Sequence, residues 1–141
     1  MKKSILIIIV ILVVIAVGII CYLSFSKNQQ GEQNNSGNSY ESITQEEAKK
    51  IMDNESNIVI LDVRTQEEYN EGHIKNATLI PLAEIEGRAE NELKDKSQII
   101  LVYCRSGNRS KQASQILADK GYTNIKEFGG ITSWQYGTTT E

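Results

Sequence analysis

Hydrophobic and polar positions divide this chain into three stretches of different character. Residues 5–25 carry no charge, residues 26–39 are mostly Ser, Asn, Gln and Gly, and from Tyr40 to Glu141 short apolar runs alternate with amphipathic ones. The last stretch predicts the folded part. Thr44-Gln45-Glu46-Glu47 is a capping box opening a helix through about Asp53, with Ala48, Ile51 and Met52 on one face. Asn57 to Val63 is a continuous, β-branched run of the kind buried on both faces of a parallel sheet. A second capping box, Thr65-Gln66-Glu67-Glu68, starts a short helix that stops near Gly72. Ala77 to Ile80 reads as a strand closed by Pro81, and Leu82 to Leu93 has helical spacing, weakened by Gly87. Gln98 to Tyr103 is another buried strand, followed by an amphipathic helix over Ser110–Ala118 that ends at Gly121. Asn124 to Phe128 predicts a final strand, and Gly129-Gly130 turns the chain into a last short helix carrying Trp134. Strands alternating with helices at this spacing predict an α/β fold, a central parallel sheet with helices on both faces.

The first stretch changes the picture of where such a domain works. The twenty-one residues from Ile5 to Phe25 rise roughly 30 Å as a helix, about the hydrocarbon thickness of a bilayer. Lys2 and Lys3 precede the run and only Lys27 follows closely, which predicts a cytoplasmic amino terminus and an extracytoplasmic domain. Residues 1–25 are therefore expected to be a membrane anchor. A cleaved signal is the competing reading, with Ser24-Phe25-Ser26 as a small-x-small site, and it exports the domain equally, as a secreted protein. Cys21 reads as an apolar membrane residue rather than a lipidated one, since Gly18-Ile19-Ile20 lacks a small residue just ahead of it. Residues 26–39 then form a flexible tether, and residues 40–141 a single small domain. That domain holds 12 Lys and Arg against 17 Asp and Glu, a net charge of −5. Nucleic acid and anionic membrane surfaces are poor partners for it.

Only two cysteines occur, Cys21 in the apolar run and Cys104 in the domain, so no disulfide can form within the domain. A single free thiol in an exported protein points to reactivity. Cys104 stands where the apolar run ends and the segment Cys104-Arg105-Ser106-Gly107-Asn108-Arg109-Ser110 turns into a helix. In parallel sheets ligands bind beyond the carboxyl ends of the strands. Backbone N–H groups of the Ser106-Gly107-Asn108 turn and the positive charges of Arg105 and Arg109 favour thiolate over thiol there. Asp62 and Arg64 lie at the end of a neighbouring strand, and their expected role is structural support, through loop backbone and a pair with Glu68. His73, the only histidine, is expected to pack in a turn rather than to serve as a base or a metal ligand.

The ordered set Leu61-Asp62-Val63-Arg64, Glu68-Tyr69, Gly72-His73-Ile74, Ala77, Ile80-Pro81, Cys104 to Ser110, Gly121-Tyr122 and Gly129-Gly130 with Trp134 resembles the single-domain rhodanese-like family over about Tyr40 to Trp134. The resemblance implies the three-layer rhodanese fold and sulfur transfer through a persulfide on Cys104, with no metal and no organic cofactor. Arg105, Ser106, Gly107, Asn108 and Arg109 are then the expected binding groups for a small anionic donor such as thiosulfate, with Asp62, Arg64 and Ser110 supporting the site. A thiol or other thiophile, small or carried on a protein, would accept the sulfur. The spacing Cys-x4-Arg separates this chemistry from cysteine phosphatases and arsenate reductases, which resemble Cys-x5-Arg and cradle a larger oxyanion. A sulfur-presenting or binding module without turnover, and a thiol redox protein, remain as alternatives. The absence of a second cysteine in the domain weighs against the latter.

Overall fold

The computed structural model describes residues 39–141. The expected membrane span, residue Cys21 and all of the linker except Ser39 lie outside the described residues. The elements are β1 (Glu41–Ser42), α1 (Gln45–Asn54), β2 (Ile58–Asp62), α2 (Gln66–Glu71), β3 (Ala77–Leu79), a 3-10 turn (Leu82–Glu84), α3 (Ile85–Glu92), β4 (Ile99–Cys104), α4 (Asn108–Asp119), β5 (Ile125–Gly130) and a second 3-10 turn (Ile131–Ser133). All five strands are parallel, in the order β1-β5-β4-β2-β3. Helices cover both faces, as the alternating pattern implies.

The period-two geometry of β4 sorts the core into two layers. Ile100, Val102 and Cys104 point to one side, where they pack with Leu61, Val63, Ile85, Ala89, Ala113 and Leu117. Leu101 and Tyr103 point to the other, joining Ile60, Ala48 and Phe128, with Ile51, Met52 and Tyr69 packed against them. Because the central strands are buried on both faces, they read in sequence as unbroken apolar runs. Cys104 thus belongs to the α3/α4 layer and ends the middle strand of the sheet.

One element was not anticipated and three local expectations are corrected. Glu41–Ser42 forms a short edge strand on β5, in register Ser42 with Glu127, where two polar residues carry no strand signal. The segment after Pro81 is a 3-10 turn and then a helix, because Glu84 interrupts regular α geometry with ψ near −5°. The final element is a 3-10 turn that ends at Ser133, so Trp134 lies just beyond it in extended backbone. Its ring packs against Phe128 at a centroid distance of 5.6 Å. The helix after Cys104 begins at Asn108, two residues earlier than its apolar spacing indicates, so Arg109 and Ser110 occupy its first turn.

Both capping boxes are present. Thr44 Oγ1 accepts from Glu47 N at 3.1 Å and Glu47 Oε2 accepts from Thr44 N at 2.8 Å. Thr65 and Glu68 repeat the arrangement at 3.3 and 3.0 Å.

Candidate active site

The turn after β4 brings its backbone back to the sulfur. Gly107 adopts φ of +108°, a left-handed conformation that favours glycine, and its N–H donates to Cys104 Sγ at 3.1 Å. Ser110 Oγ lies 3.6 Å from the same sulfur. Burial, with Cys104 only 1% exposed, pushes the thiol up. Hydrogen bonding of the sulfur with the Ser110 side chain and with backbone N–H groups of Ser110, Gly107 and Ser106 outweighs it, and the thiol sits below its ordinary pKa. Thiolate is favoured here by oriented amides at a helix start.

The arginines divide in role. Both terminal nitrogens of Arg109 donate to Glu68, at 2.7 and 2.8 Å, closing a two-pronged ion pair between α4 and α2. That pair holds the Glu68 carboxyl at about 2, since the hydrogen bonds from Arg109 outweigh partial burial. Glu68 Oε2 also accepts from Thr65 N, so one carboxylate caps α2 and ties the cysteine loop. The Glu68 partner is therefore Arg109, not Arg64. Arg64 turns back on Asp62: its Nε and Nη2 donate to the carboxylate at 2.7–3.0 Å, and Nη2 also donates to Gly72 O at 2.7 Å. Tyr103 Oη donates to Asp62 Oδ2 at 2.7 Å and accepts from Ile74 N at 3.1 Å. This buried Asp62–Arg64–Tyr103 network braces the ends of β2 and β4 beneath the loop, with every charge paired.

Arg105 is exposed and lines a pocket of about 390 Å³ together with Arg64, Glu68, Glu71, Ile131 and Thr132. Its carbonyl is held by Thr132 N at 3.2 Å and Thr132 Oγ1 at 3.0 Å, while its guanidinium, among the described residues, has no ion-pair partner. Ser106 and Asn108 are exposed on the loop, and Gly107 is buried beneath them. His73 is buried and stacked on Tyr69 at 3.6 Å. Its two ring nitrogens contact the carbonyls of Tyr69 and Glu141, at 2.9 and 3.0 Å. Among the described residues no group of three potential ligands converges to hold a metal ion.

Sequence reasoning missed Glu127. Its carboxylate is 3% exposed, and Oε1 accepts from Ser110 Oγ at 2.6 Å and from Gly129 N at 2.9 Å. The available signal was parity: Glu127 lies two residues after Ile125 and so shares its inward face.

A family model described as "Rhodanese-like domain" matches residues 44–136. The thiosulfate sulfurtransferase PspE of Escherichia coli (strain K12) is 39% identical over 71 residues, covering 50% of this chain and 68% of its own length. The thiosulfate sulfurtransferase GlpE of Coxiella burnetii is 34% identical over 97 residues, 68% of this chain and 88% of its own. Among solved structures, a rhodanese-like domain protein from Staphylococcus aureus is 32% identical with a TM-score of 0.62, covering 72% of this chain and 98% of that one. A rhodanese from E. coli, solved with anions, is 33% identical with a TM-score of 0.56, over 60% of this chain and 99% of that one.

Proposed function

The chain belongs to the rhodanese-like family and is a rhodanese-like sulfurtransferase, and from that premise we propose that it takes sulfane sulfur from a small anionic donor such as thiosulfate onto Cys104. The observation that carries the assignment to Cys104 is the geometry of its sulfur, which ends the central strand with Gly107 N–H at 3.1 Å and Ser110 Oγ at 3.6 Å. The Cys104 thiolate attacks the outer sulfur of thiosulfate. A sulfur–sulfur bond forms to Cys104, the donor's own sulfur–sulfur bond breaks, and its electron pair leaves with sulfite. One negative charge stays on the terminal sulfur of the persulfide, where the loop's N–H groups stabilise it. A thiophilic acceptor then attacks that terminal sulfur and returns Cys104 to thiolate.

Arg105, the loop cation without an ion-pair partner among the described residues, orients the anionic donor, with Ser106, Gly107 and Asn108 contributing loop contacts. Arg109 positions the loop through Glu68. Asp62, Arg64 and Ser110 support the site from below. No metal or organic cofactor takes part in this chemistry. We place the domain outside the cytoplasm, tethered by residues 5–25, a reading supported by the length of that charge-free run and the lysines ahead of it.

Mass spectrometry after thiosulfate treatment tests the reaction and the residue together. The expected product is the protein with one added sulfur on Cys104 and release of sulfite, both lost in Cys104→Ser. An unmodified thiol with no sulfite released would overturn the assignment.

A further inference from the structure

The mechanism above leaves one buried acid unused. Glu127 sits on β5, 3% exposed, with no lysine or arginine paired to it among the described residues. Its partners are the Ser110 hydroxyl, the Gly129 N–H and, at 3.5 Å, the Ser42 hydroxyl. Among the described residues the Ser110 hydroxyl bridges this carboxylate and the Cys104 sulfur, and it too is buried. The three groups form a chain: Cys104 S–H donates to Ser110 Oγ at 3.6 Å, and the one Ser110 hydroxyl hydrogen has Glu127 Oε1 at 2.6 Å as its nearest acceptor, ahead of Gly107 O at 2.9 Å and Gly129 O at 3.4 Å. On its far side Glu127 lines a second pocket, of about 360 Å³, with Ser42, Gln45, Lys111 and Ser133.

We propose that Glu127 takes the Cys104 proton through Ser110 when the sulfur becomes a nucleophile, and holds it until the sulfur has been passed on. The role rests on the sulfurtransfer reading of Cys104. In the forward step the S–H bond breaks and its electron pair stays on sulfur. Ser110 Oγ takes that proton and gives its own to Glu127 Oε1. Every hydrogen bond in the chain then reverses: Glu127 donates to Ser110, and Ser110 donates to the thiolate. The buried site carries one negative charge before and after, so the nucleophile appears without adding charge to a desolvated place. The overall transfer from donor to acceptor consumes no proton, and when Cys104 is released from its persulfide the same chain returns the stored one. Glu127 acts on sulfur only through Ser110, so it is a positioning and proton-holding residue.

The other charged groups around this chain are already engaged or stand off it. Lys126, next on the strand, pairs with Glu41 of β1. Glu47 of α1 serves its own cap, and Arg109 of α4 is held by Glu68. Tyr40 ahead of β1 is close enough for the Glu127 charge to raise its phenol pKa, after burial. Lys111 of α4 lines the same second pocket as Glu127.

Glu127→Gln keeps the shape and the acceptor oxygen but cannot take a proton. Two rates are measured from mildly acidic to mildly alkaline pH on the full chain: sulfite release in a single turnover with thiosulfate, and alkylation of Cys104 by iodoacetamide. The relay predicts that both rates fall in Glu127→Gln at the acidic end, by roughly a hundredfold, the low end of what a positioned proton acceptor supplies, and converge with wild type at the alkaline end. Ser110→Ala reproduces the acid-side loss, and the double variant is no slower than the slower single one. A carboxylate acting only as a nearby negative charge gives the opposite sign, a faster Glu127→Gln at acidic pH. A purely structural role gives a loss of the same factor at every pH. Either pattern, or additive losses in the double variant, overturns the relay. Wild type that alkylates with the relay's pH dependence but releases no sulfite overturns the sulfurtransfer reading and leaves the relay standing.

Discussion

At the scale of single residues, the site works by division of labour among groups that look alike in sequence. Arg105 and Arg109 are two loop arginines, yet one is exposed over a pocket and the other is locked to Glu68. Glu67 and Glu68 are neighbours in one capping box, and only Glu68 reaches across to α4. The Glu68–Arg109 pair has a thermodynamic signature. The Glu68 carboxyl is lowered from 4.5 to about 2, so its contribution is fully present above about pH 4.5 and is lost as pH falls toward 2. Glu68→Gln should lower unfolding free energy at neutral pH by about 1–2 kcal/mol, allowing for the pair's partial exposure. Its stability should also fall less steeply than wild type over that acidic window. Urea unfolding at neutral pH and across the acidic range checks both, and a wild-type acid dependence unchanged by the substitution would remove the pair from the account.

Among the elements, the junction of β4 and β5 decides where the sulfur sits. Cys104 pairs with Gly130 across a register shift that begins after Val102. A Cβ at Gly130 would overlap the Arg105 carbonyl and stand 2.5 Å from Ser106 Cα. The backbone of β5 therefore lies directly under the cysteine loop, and no side chain larger than hydrogen fits there. Gly130→Ala should push the loop outward, cost roughly 1–3 kcal/mol as an overpacked site, and separate Gly107 N–H from the sulfur. Thermal unfolding together with sulfite release reads this out. Activity should fall much further than stability, and a fully active Gly130→Ala protein would mean that the loop's position is not set from β5.

For the whole molecule, the proposal that the charge-free amino-terminal run tethers a small acidic domain to a membrane is open to direct test. Fractionation of cells producing the full chain should place it in the membrane pellet, resistant to alkaline extraction, with the domain open to protease from outside. Recovery of the uncut chain in the soluble fraction would overturn the anchor. A shortened, released form would instead mark cleavage after the apolar run.

The amino-acid sequence by itself determined the alternation of strands and helices, both capping boxes, and the placing of Cys104 where a buried strand meets a helix. These rest on local periodicity and short-range hydrogen bonding, which a few neighbouring residues dictate. The two-residue β1 was not legible, because Glu41 and Ser42 have no apolar pattern and become a strand only by pairing with β5. Nor was the partner of Glu68, which lies 41 positions away in Arg109, or the burial of Glu127 next to the equally polar Lys126. Only the tertiary structure decided these, because parallel register brings the ends of distant strands to one place, where charges choose partners by proximity rather than by order in the chain. Cys104 could be found by reading along one strand, whereas Ser110 and Glu127 meet beneath it only once α4 and β5 pack together.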